Sequence, residues 1–134
     1  ASRVEFIPYW RSGAYYQYGV GLESSGDEFL SEDEKGLRAQ LEKVYCTIYR
    51  NRSTGKALLV LANGSREPIA ENLVIKPPLL NGKSARKCTD VELNEEILLM
   101  ENPKAAAGSR QKTVPNVFNV IDIRPLQFRL LLIE

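Results

Sequence analysis

The chain has 134 residues, of which 43% are hydrophobic and 26% charged, and its 18 basic and 17 acidic side chains leave a net charge of +1. This length suits one domain with a single sizeable core. A nearly neutral chain is not a generic polycation for nucleic acid or anionic membranes, and no apolar run approaches the roughly 20 residues that span a bilayer. The absence of histidine excludes nucleophilic triads with a histidine base and mixed cysteine–histidine zinc sites.

Two aromatic segments open the chain. Residues 4–10 and 15–22 are rich in aromatic and β-branched side chains, and turn-forming residues at 11–13 separate them. This pattern predicts a β-hairpin. Six aromatic residues fall between Phe6 and Tyr18. Because neighbours in a strand point to opposite faces, we expect some of these rings to be exposed.

An acidic segment follows the predicted hairpin. Residues 23–34 carry six acidic side chains and no basic one, which predicts a mobile, solvated loop near 23–31. Ser31 and Glu34 have the spacing of a capping box, and Leu37 and Leu41 share one helical face. The sequence therefore predicts a short helix near residues 32–42.

The clearest local signal is a second hairpin. Residues 44–49 are β-branched and aromatic, residues 51–55 are turn-rich, and residues 56–62 are apolar, a pattern typical of two strands joined by a tight turn. Apolar residues at 37, 41, 44 and 48 leave a helix through residue 49 as the alternative.

The remaining chain also favours strands. Short strands are predicted at 69–75, at 97–100 and at 117–123, where residues 117, 119, 121 and 123 would share one face. The apolar tail 126–133 predicts a strand or a short helix. Polar stretches at 81–87 and 102–113 are predicted to be mobile loops. Together the elements predict one domain, residues 1–134, that is mainly β with about seven strands in a small curled antiparallel sheet or barrel.

One spacing near the N-terminus points to a known superfold. Tyr15 stands four positions before the pair of glycines in Gly19-Val20-Gly21. In this feature and in the order of the later strands, the chain resembles the PH-like superfold, and within it the Ran-binding and EVH1 domains. The resemblance implies a PH-like fold and a ligand of the peptide or small GTPase class. An OB-type barrel is the alternative fold.

Little in the sequence predicts catalysis. Adjacent carboxylates such as Glu95 and Glu96 point apart in a strand or a helix, and Cys46 has no histidine to activate it. Cys46 and Cys88 lie far apart, so we expect two buried free thiols in an intracellular protein, with a disulfide between them as the alternative. We predict a protein that is not an enzyme and that uses no metal or cofactor.

Two features predict binding instead. The first is the N-terminal aromatic cluster, which either fills one end of the core or contacts a protein partner through Tyr9, Trp10, Tyr15, Tyr16 and Tyr18. The second is a set of basic loop residues that could contact phosphates or an acidic partner: Lys83, Arg86, Lys87, Lys104, Arg110 and Lys112. The leading hypothesis is a non-enzymatic adaptor domain within a larger assembly. The alternative is a single-stranded nucleic-acid-binding β-barrel in which Trp10, Tyr16 and Tyr18 stack on bases.

Overall fold

The computed structural model describes residues 3–19, 44–102 and 112–134 and shows a mostly β protein with two antiparallel sheets. The predicted mainly-β class is confirmed, and the two sheets do not close into a barrel. The described strands number ten rather than about seven: β1 (Val4–Ile7), β2 (Tyr16–Tyr18), β3 (Val44–Asn51), β4 (Lys56–Asn63), β5 (Ile69–Ile75), β6 (Cys88–Asp90), β7 (Glu95–Ile97), β8 (Leu99–Glu101), β9 (Thr113–Ile123) and β10 (Phe128–Ile133). The predicted helix near 32–42, the loop near 23–31 and most of the loop at 102–113 lie outside the described residues.

The predicted N-terminal hairpin is wrong. The six-stranded sheet has the order β1-β3-β4-β10-β6-β7, and the four-stranded sheet has the order β2-β5-β9-β8. Thus β1 pairs with β3 while β2 pairs with β5. The expected turn residues lie in a 3₁₀ helix, Tyr9–Ala14, where the buried Ser12 hydroxyl donates to the carbonyl of Tyr9 at 2.9 Å. This helix carries the chain from one sheet to the other.

The second hairpin is confirmed, and the helical alternative is excluded. Strands β3 and β4 pair along their full length. The Asn51 side-chain oxygen accepts from the amides of Ser53 and Thr54, and Gly55 adopts a φ of +73° that favours glycine. The apolar C-terminal segment also forms a strand, because β10 lies between β4 and β6 at the centre of its sheet.

Several other predicted strands are found, with differences that arise from pairing. Residues 69–75 form β5, as predicted. The expected strand at 97–100 is divided between β7 and β8, which belong to different sheets. The three-residue strand β6 has no counterpart in the sequence prediction. A second 3₁₀ helix, Pro77–Leu80, follows β5 and buries Leu79 and Leu80.

One hydrophobic core contains residues from both sheets. Ile48, Leu59 and Leu131 come from the six-stranded sheet, and Leu73 and Phe118 come from the four-stranded sheet. The predicted alternation along β9 is interrupted, because Phe118, Ile121 and Ile123 are the buried residues. The register with β5 shifts between the pairs Glu71–Ile121 and Leu73–Phe118, so one extra residue in β9 reverses the side-chain alternation.

An ion-pair network links the two sheets. The Arg129 guanidinium contacts the Asp90 carboxylate at 2.5 Å and the Asp122 carbonyl at 2.8 Å. Asp90 is 1% exposed, and although burial favours its neutral form, hydrogen bonds from the amides of Leu93 and Glu92 and from Arg129 lower its pKa. The charged form of Asp90 is therefore the one that the fold stabilises.

Candidate partner-binding surface

Five exposed aromatic rings from two parts of the chain form two contacting groups, which we together call the outer aromatic cluster. Its members are Phe6, Tyr9, Trp10, Tyr45 and Tyr49. The ring centroids of Tyr9 and Trp10 are 5.0 Å apart, those of Tyr9 and Tyr45 are 5.2 Å apart, and those of Phe6 and Tyr49 are 5.4 Å apart. Trp10 is 71% exposed. The predicted exposure of part of the N-terminal cluster is therefore confirmed for Tyr9 and Trp10.

Strand alternation explains why these rings face outward. In β3 the inward residues Cys46 and Ile48 are fully buried, so Tyr45 and Tyr49 project from the opposite face. Phe6 in β1 is paired with Tyr49 and shares that face. Tyr45 and Tyr49 were absent from the predicted site, although the alternation of residues 45–49 was the signal that could have located them.

The other three tyrosines of the predicted site have a different environment. Tyr15, Tyr16 and Tyr18 are half-buried and pack against the core. The Arg50 guanidinium lies 5.3 Å from the Tyr15 ring centroid and also binds the carboxylate of Glu5 at 2.6 Å. These three residues therefore support the fold, although Tyr15 also lines a pocket together with Phe6 of the outer aromatic cluster.

The Tyr18 hydroxyl takes part in the pairing of β5 with β9. It donates to the carbonyl of Ile121 at 2.5 Å and accepts from the amide of Glu71 at 3.2 Å. Glu71 and Ile121 are register partners next to the shift in the ladder, so the phenol bridges two backbone groups at that position. Burial raises the pKa of Tyr18 to about 12.

The outer face of the six-stranded sheet extends the aromatic cluster into a wider apolar surface. We define the outer face as the side of that sheet that points away from the core. Directly paired residues share a face, and the pairing of β3, β4 and β10 aligns three rows across it. The rows contain Tyr45, Ala62 and Phe128; Thr47, Val60 and Leu130; and Tyr49, Leu58 and Leu132. Thr47 is the single polar member of these rows.

The basic residues of the predicted second site divide into two groups. Lys83, Arg86 and Lys87 lie within five residues of sequence, and all three are exposed. Lys112 is also exposed but immediately precedes β9. Lys104 and Arg110 lie outside the described residues.

Lys83, Ser84 and Arg86 line one side of an open cavity of about 560 Å³, whereas Lys87 is not part of its lining. The cavity is also lined by Thr54 and Lys56 from the hairpin and by Glu134. Backbone contacts hold the loop in place: the amides of Arg86 and Lys87 donate to the carbonyl of Glu134 at 2.8 and 3.1 Å. The predicted mobility of residues 81–87 stays a prediction, but their backbone has defined anchors.

The two cysteines, which could act as nucleophiles, lie buried in the core. Both cysteines are free and buried, as expected. Burial raises the pKa of Cys88 to about 12 and also raises the pKa of Cys46. Within the described ranges, no three or more cysteine or acidic side chains are grouped to hold a metal ion. Helices long and apolar enough to cross a membrane are absent from the same ranges.

Comparisons with known proteins give one distant similarity. No protein family model and no curated protein matches the chain. Among solved structures, the crystal structure of a GH27 β-L-arabinopyranosidase from Geobacillus stearothermophilus in complex with arabinose is similar, with 12% sequence identity and a TM-score of 0.45. The similarity covers 69% of this chain and 17% of that chain. So distant a likeness transfers neither a fold nor an activity to this protein.

Proposed function

We propose that this chain is a non-enzymatic interaction domain that binds a protein partner through the outer face of its six-stranded sheet. The observation that carries the proposal is the apolar character of both faces of the central strands β4 and β10. Their inward residues Leu59, Leu61 and Leu131 are fully buried in the core. Their outward residues at 58, 60, 62, 128, 130 and 132 are also apolar, and several remain half-exposed.

This pattern differs from that of an antiparallel sheet with one face in water. Such sheets usually alternate between apolar inward residues and polar outward residues, whereas strands covered on both faces have nearly continuous apolar sequences. Residues 57–62 of β4 and 130–133 of β10 have continuous apolar sequences. The composition of these strands therefore fits a sheet whose outer face is covered by a partner.

The size of the exposed aromatic area supports the same proposal. Phe128 is 50% exposed on the outer face and adds to the outer aromatic cluster. From the exposed fractions and the 150–250 Å² typical of an aromatic side chain, these six rings present roughly 600 Å². A standard protein interface buries about 800 Å² on each partner. Tyrosine and tryptophan are also the residues most enriched at the energetic centres of interfaces.

The proposed partner is a folded protein or peptide with an apolar contact surface, as one component of a larger assembly. The resemblance to Ran-binding and EVH1 domains adds the peptide and small GTPase classes as specific candidates. The alternative of single-stranded nucleic-acid binding has less support. Two of its three stacking residues, Tyr16 and Tyr18, pack against the core, and base stacking needs accessible rings.

A site-specific photocrosslinking experiment tests the outer face. The photoreactive amino acid benzoylphenylalanine replaces Tyr49 or Phe128 on the face, or Leu93 as the control. Leu93 is 60% exposed but lies in the turn between β6 and β7. We expect Tyr49 and Phe128 to crosslink the same discrete protein and Leu93 to give no such product. Equal products from all three positions, or no product from the face, would contradict the proposal.

Affinity for the crosslinked protein provides the quantitative test. Trp10 is the sole tryptophan, and its exposed ring should emit in the isolated domain as a solvated, readily quenched fluorophore. We expect the purified partner to shield this emission. A double variant, Phe6→Ser with Phe128→Ser, should weaken binding about tenfold or more, while unfolding free energy stays close to that of the parent because both rings are at least half exposed. Unchanged affinity in this variant would exclude the outer face as the binding surface.

A further inference from the structure

The apolar outer face ends in a basic cavity. Along β4 the outward residues Val60 and Leu58 are followed by Lys56, and along β10 the outward residues Leu130 and Leu132 are followed by Glu134. The Lys56 ammonium and the Glu134 carboxylate contact each other at 2.7 Å. Both line the cavity of about 560 Å³, which is therefore continuous with the outer face.

Positive charge exceeds negative charge in this cavity. Lys56, Lys83 and Arg86 line it together with one carboxylate, that of Glu134. The Lys56 ammonium lowers the pKa of Glu134 and balances the negative charge of its carboxylate. Lys83 and Arg86 form no ion pair with any other described residue and are exposed. The side chains that line the cavity thus carry three positive charges and one negative charge.

Fixed backbone contacts anchor the loop that carries the basic residues of the cavity. Ala85 is 1% exposed, and its amide donates to the Asn116 side-chain oxygen at 2.7 Å. The amide of the next residue, Arg86, donates to the Glu134 carbonyl at 2.8 Å. Because Ala85 is held in the protein, the flanking Ser84 and Arg86 have fixed attachment points at the cavity wall.

We propose that this cavity binds a phosphate monoester, carried by a phosphorylated side chain of the partner that covers the outer face. The charge balance favours this group, since a phosphorylated side chain carries about −1.5 to −2 charge near pH 7. An arginine guanidinium makes paired hydrogen bonds to phosphate oxygens, and the hydroxyls of Thr54 and Ser84 at the wall add donors. The identity of the phosphate carrier rests on the proposed function, whereas phosphate binding itself does not need the partner.

Titration of the isolated domain with inorganic phosphate tests the cavity. Amide spectra of the ¹⁵N-labelled protein are recorded at constant ionic strength, with sodium chloride in place of phosphate as the reference. We expect saturable shifts at the amides of Gly55, Ser84 and Arg86. A double variant, Lys83→Ala with Arg86→Ala, should weaken apparent phosphate affinity at least tenfold. Lys112→Ala is the matched control, because Lys112 is exposed but lies outside the cavity lining, and it should leave the titration unchanged.

The outcomes separate this inference from the proposed function. Shifts that do not saturate, that chloride reproduces, or that survive in the double variant would overturn the phosphate site, whatever the crosslinking experiment gives. The same spectra show whether the double variant is folded, and Lys83→Gln with Arg86→Gln replaces it if it is not. A phosphorylated serine derivative, N-acetyl-phosphoserine amide, should bind at the same amides, while N-acetylserine amide should not. Binding of inorganic phosphate without the phosphoserine derivative would overturn the assignment to a phosphorylated side chain.

Discussion

Replacing Tyr18 with phenylalanine tests whether this residue is part of the sheet rather than of a binding surface. The substitution keeps the ring and removes the oxygen that donates to Ile121 and accepts from Glu71. The amide of Glu71 and the carbonyl of Ile121, which lie next to the register shift, would each lose this hydrogen bond. Since the ring packs against the core, water has restricted access to both groups.

The expected loss of stability follows from these two backbone groups. A hydrogen bond contributes about 0.5–1.5 kcal/mol net, and a buried group left without a partner costs about 1–3 kcal/mol. Partial access of water and relaxation of the ladder reduce the sum, so we expect Tyr18→Phe to lower the free energy of unfolding by about 2–4 kcal/mol. Urea unfolding followed by far-ultraviolet circular dichroism measures this change.

Tyr49→Phe is the matched control for this experiment. Tyr49 is 40% exposed, and no other described residue forms a hydrogen bond with its hydroxyl. Its substitution should change unfolding free energy by less than about 0.5 kcal/mol. If Tyr18→Phe also left the free energy of unfolding unchanged, the bridging role of the phenol would be refuted. Tyr18 would then again be a candidate for partner binding.

The pH dependence of stability gives a second measurement of the same contact. Burial raises the pKa of Tyr18 from its ordinary value of 10.0 to about 12, so the unfolded chain loses this proton at a lower pH than the folded protein. The stabilisation is complete below pH 10 and decreases as the pH rises toward 12. We expect this decrease to be smaller in Tyr18→Phe than in the parent. An identical decrease in both proteins would show that other groups cause it.

Two further predictions concern buried ionisable groups. Asp90→Asn breaks the ion pair with Arg129 and should lower the free energy of unfolding by about 3 kcal/mol, whereas the exposed Glu96→Gln should change it little. Because the pKa of Asp90 is lowered in the folded protein, the stabilisation is present above the unfolded pKa and is lost as the pH falls through the folded pKa. Equal acid sensitivity of the parent and Asp90→Asn would refute this role of Asp90. Cys46 and Cys88 should not react with a thiol reagent in the native protein, since both are buried and burial raises their pKa; reaction within seconds before unfolding would contradict this expectation.

Local sequence signals predicted the elements whose pairing is also local. The hairpin of β3 and β4 was predictable because Asn51 at the end of β3 and Gly55 just before β4 favour the observed turn. The N-terminal hairpin was predicted by the same reasoning, and there it was wrong. The partners of β1 and β2 are separated from them by more than forty and fifty residues, as in the pairs Ile7–Ile48 and Tyr18–Leu73. Composition indicates that a segment suits a strand, but it does not identify a distant partner.

The periodicity of the sequence could not predict the short strand β6 or the register shift in β9. Strand β6 has three residues, Cys88–Asp90, which is too few for a pattern, and it exists because β10 and β7 pair with it on both sides. In β9, alternation predicted a common face for Val117 and Ile121, whereas the register shift buries Phe118 together with Ile121. A single extra residue in a strand reverses all later assignments to a face.

The candidate site was predictable only where local composition indicates it. The concentration of aromatic residues near the N-terminus located Tyr9 and Trp10, but it also included Tyr18, whose role depends on a hydrogen bond to Ile121 across 103 positions of sequence. Composition alone marks residues 44–49 as a strand, whereas its alternation is the pattern that places Tyr45 and Tyr49 on the exposed face. The continuous apolar sequences of β4 and β10 are a further signal, since they indicate apolar residues on both faces of these strands.

The hydroxyl groups separate the tyrosines of the fold from those of the proposed surface. The Tyr18 hydroxyl forms hydrogen bonds with two backbone groups of the protein, and its ring packs against the core. The hydroxyls of Tyr9, Tyr45 and Tyr49 form no hydrogen bond with any other described residue, and their rings are exposed. A tyrosine of this kind offers apolar area and a free polar group at small entropic cost. The outer aromatic cluster therefore has the exposed aromatic area and the free hydroxyl groups that the proposed partner-binding surface requires.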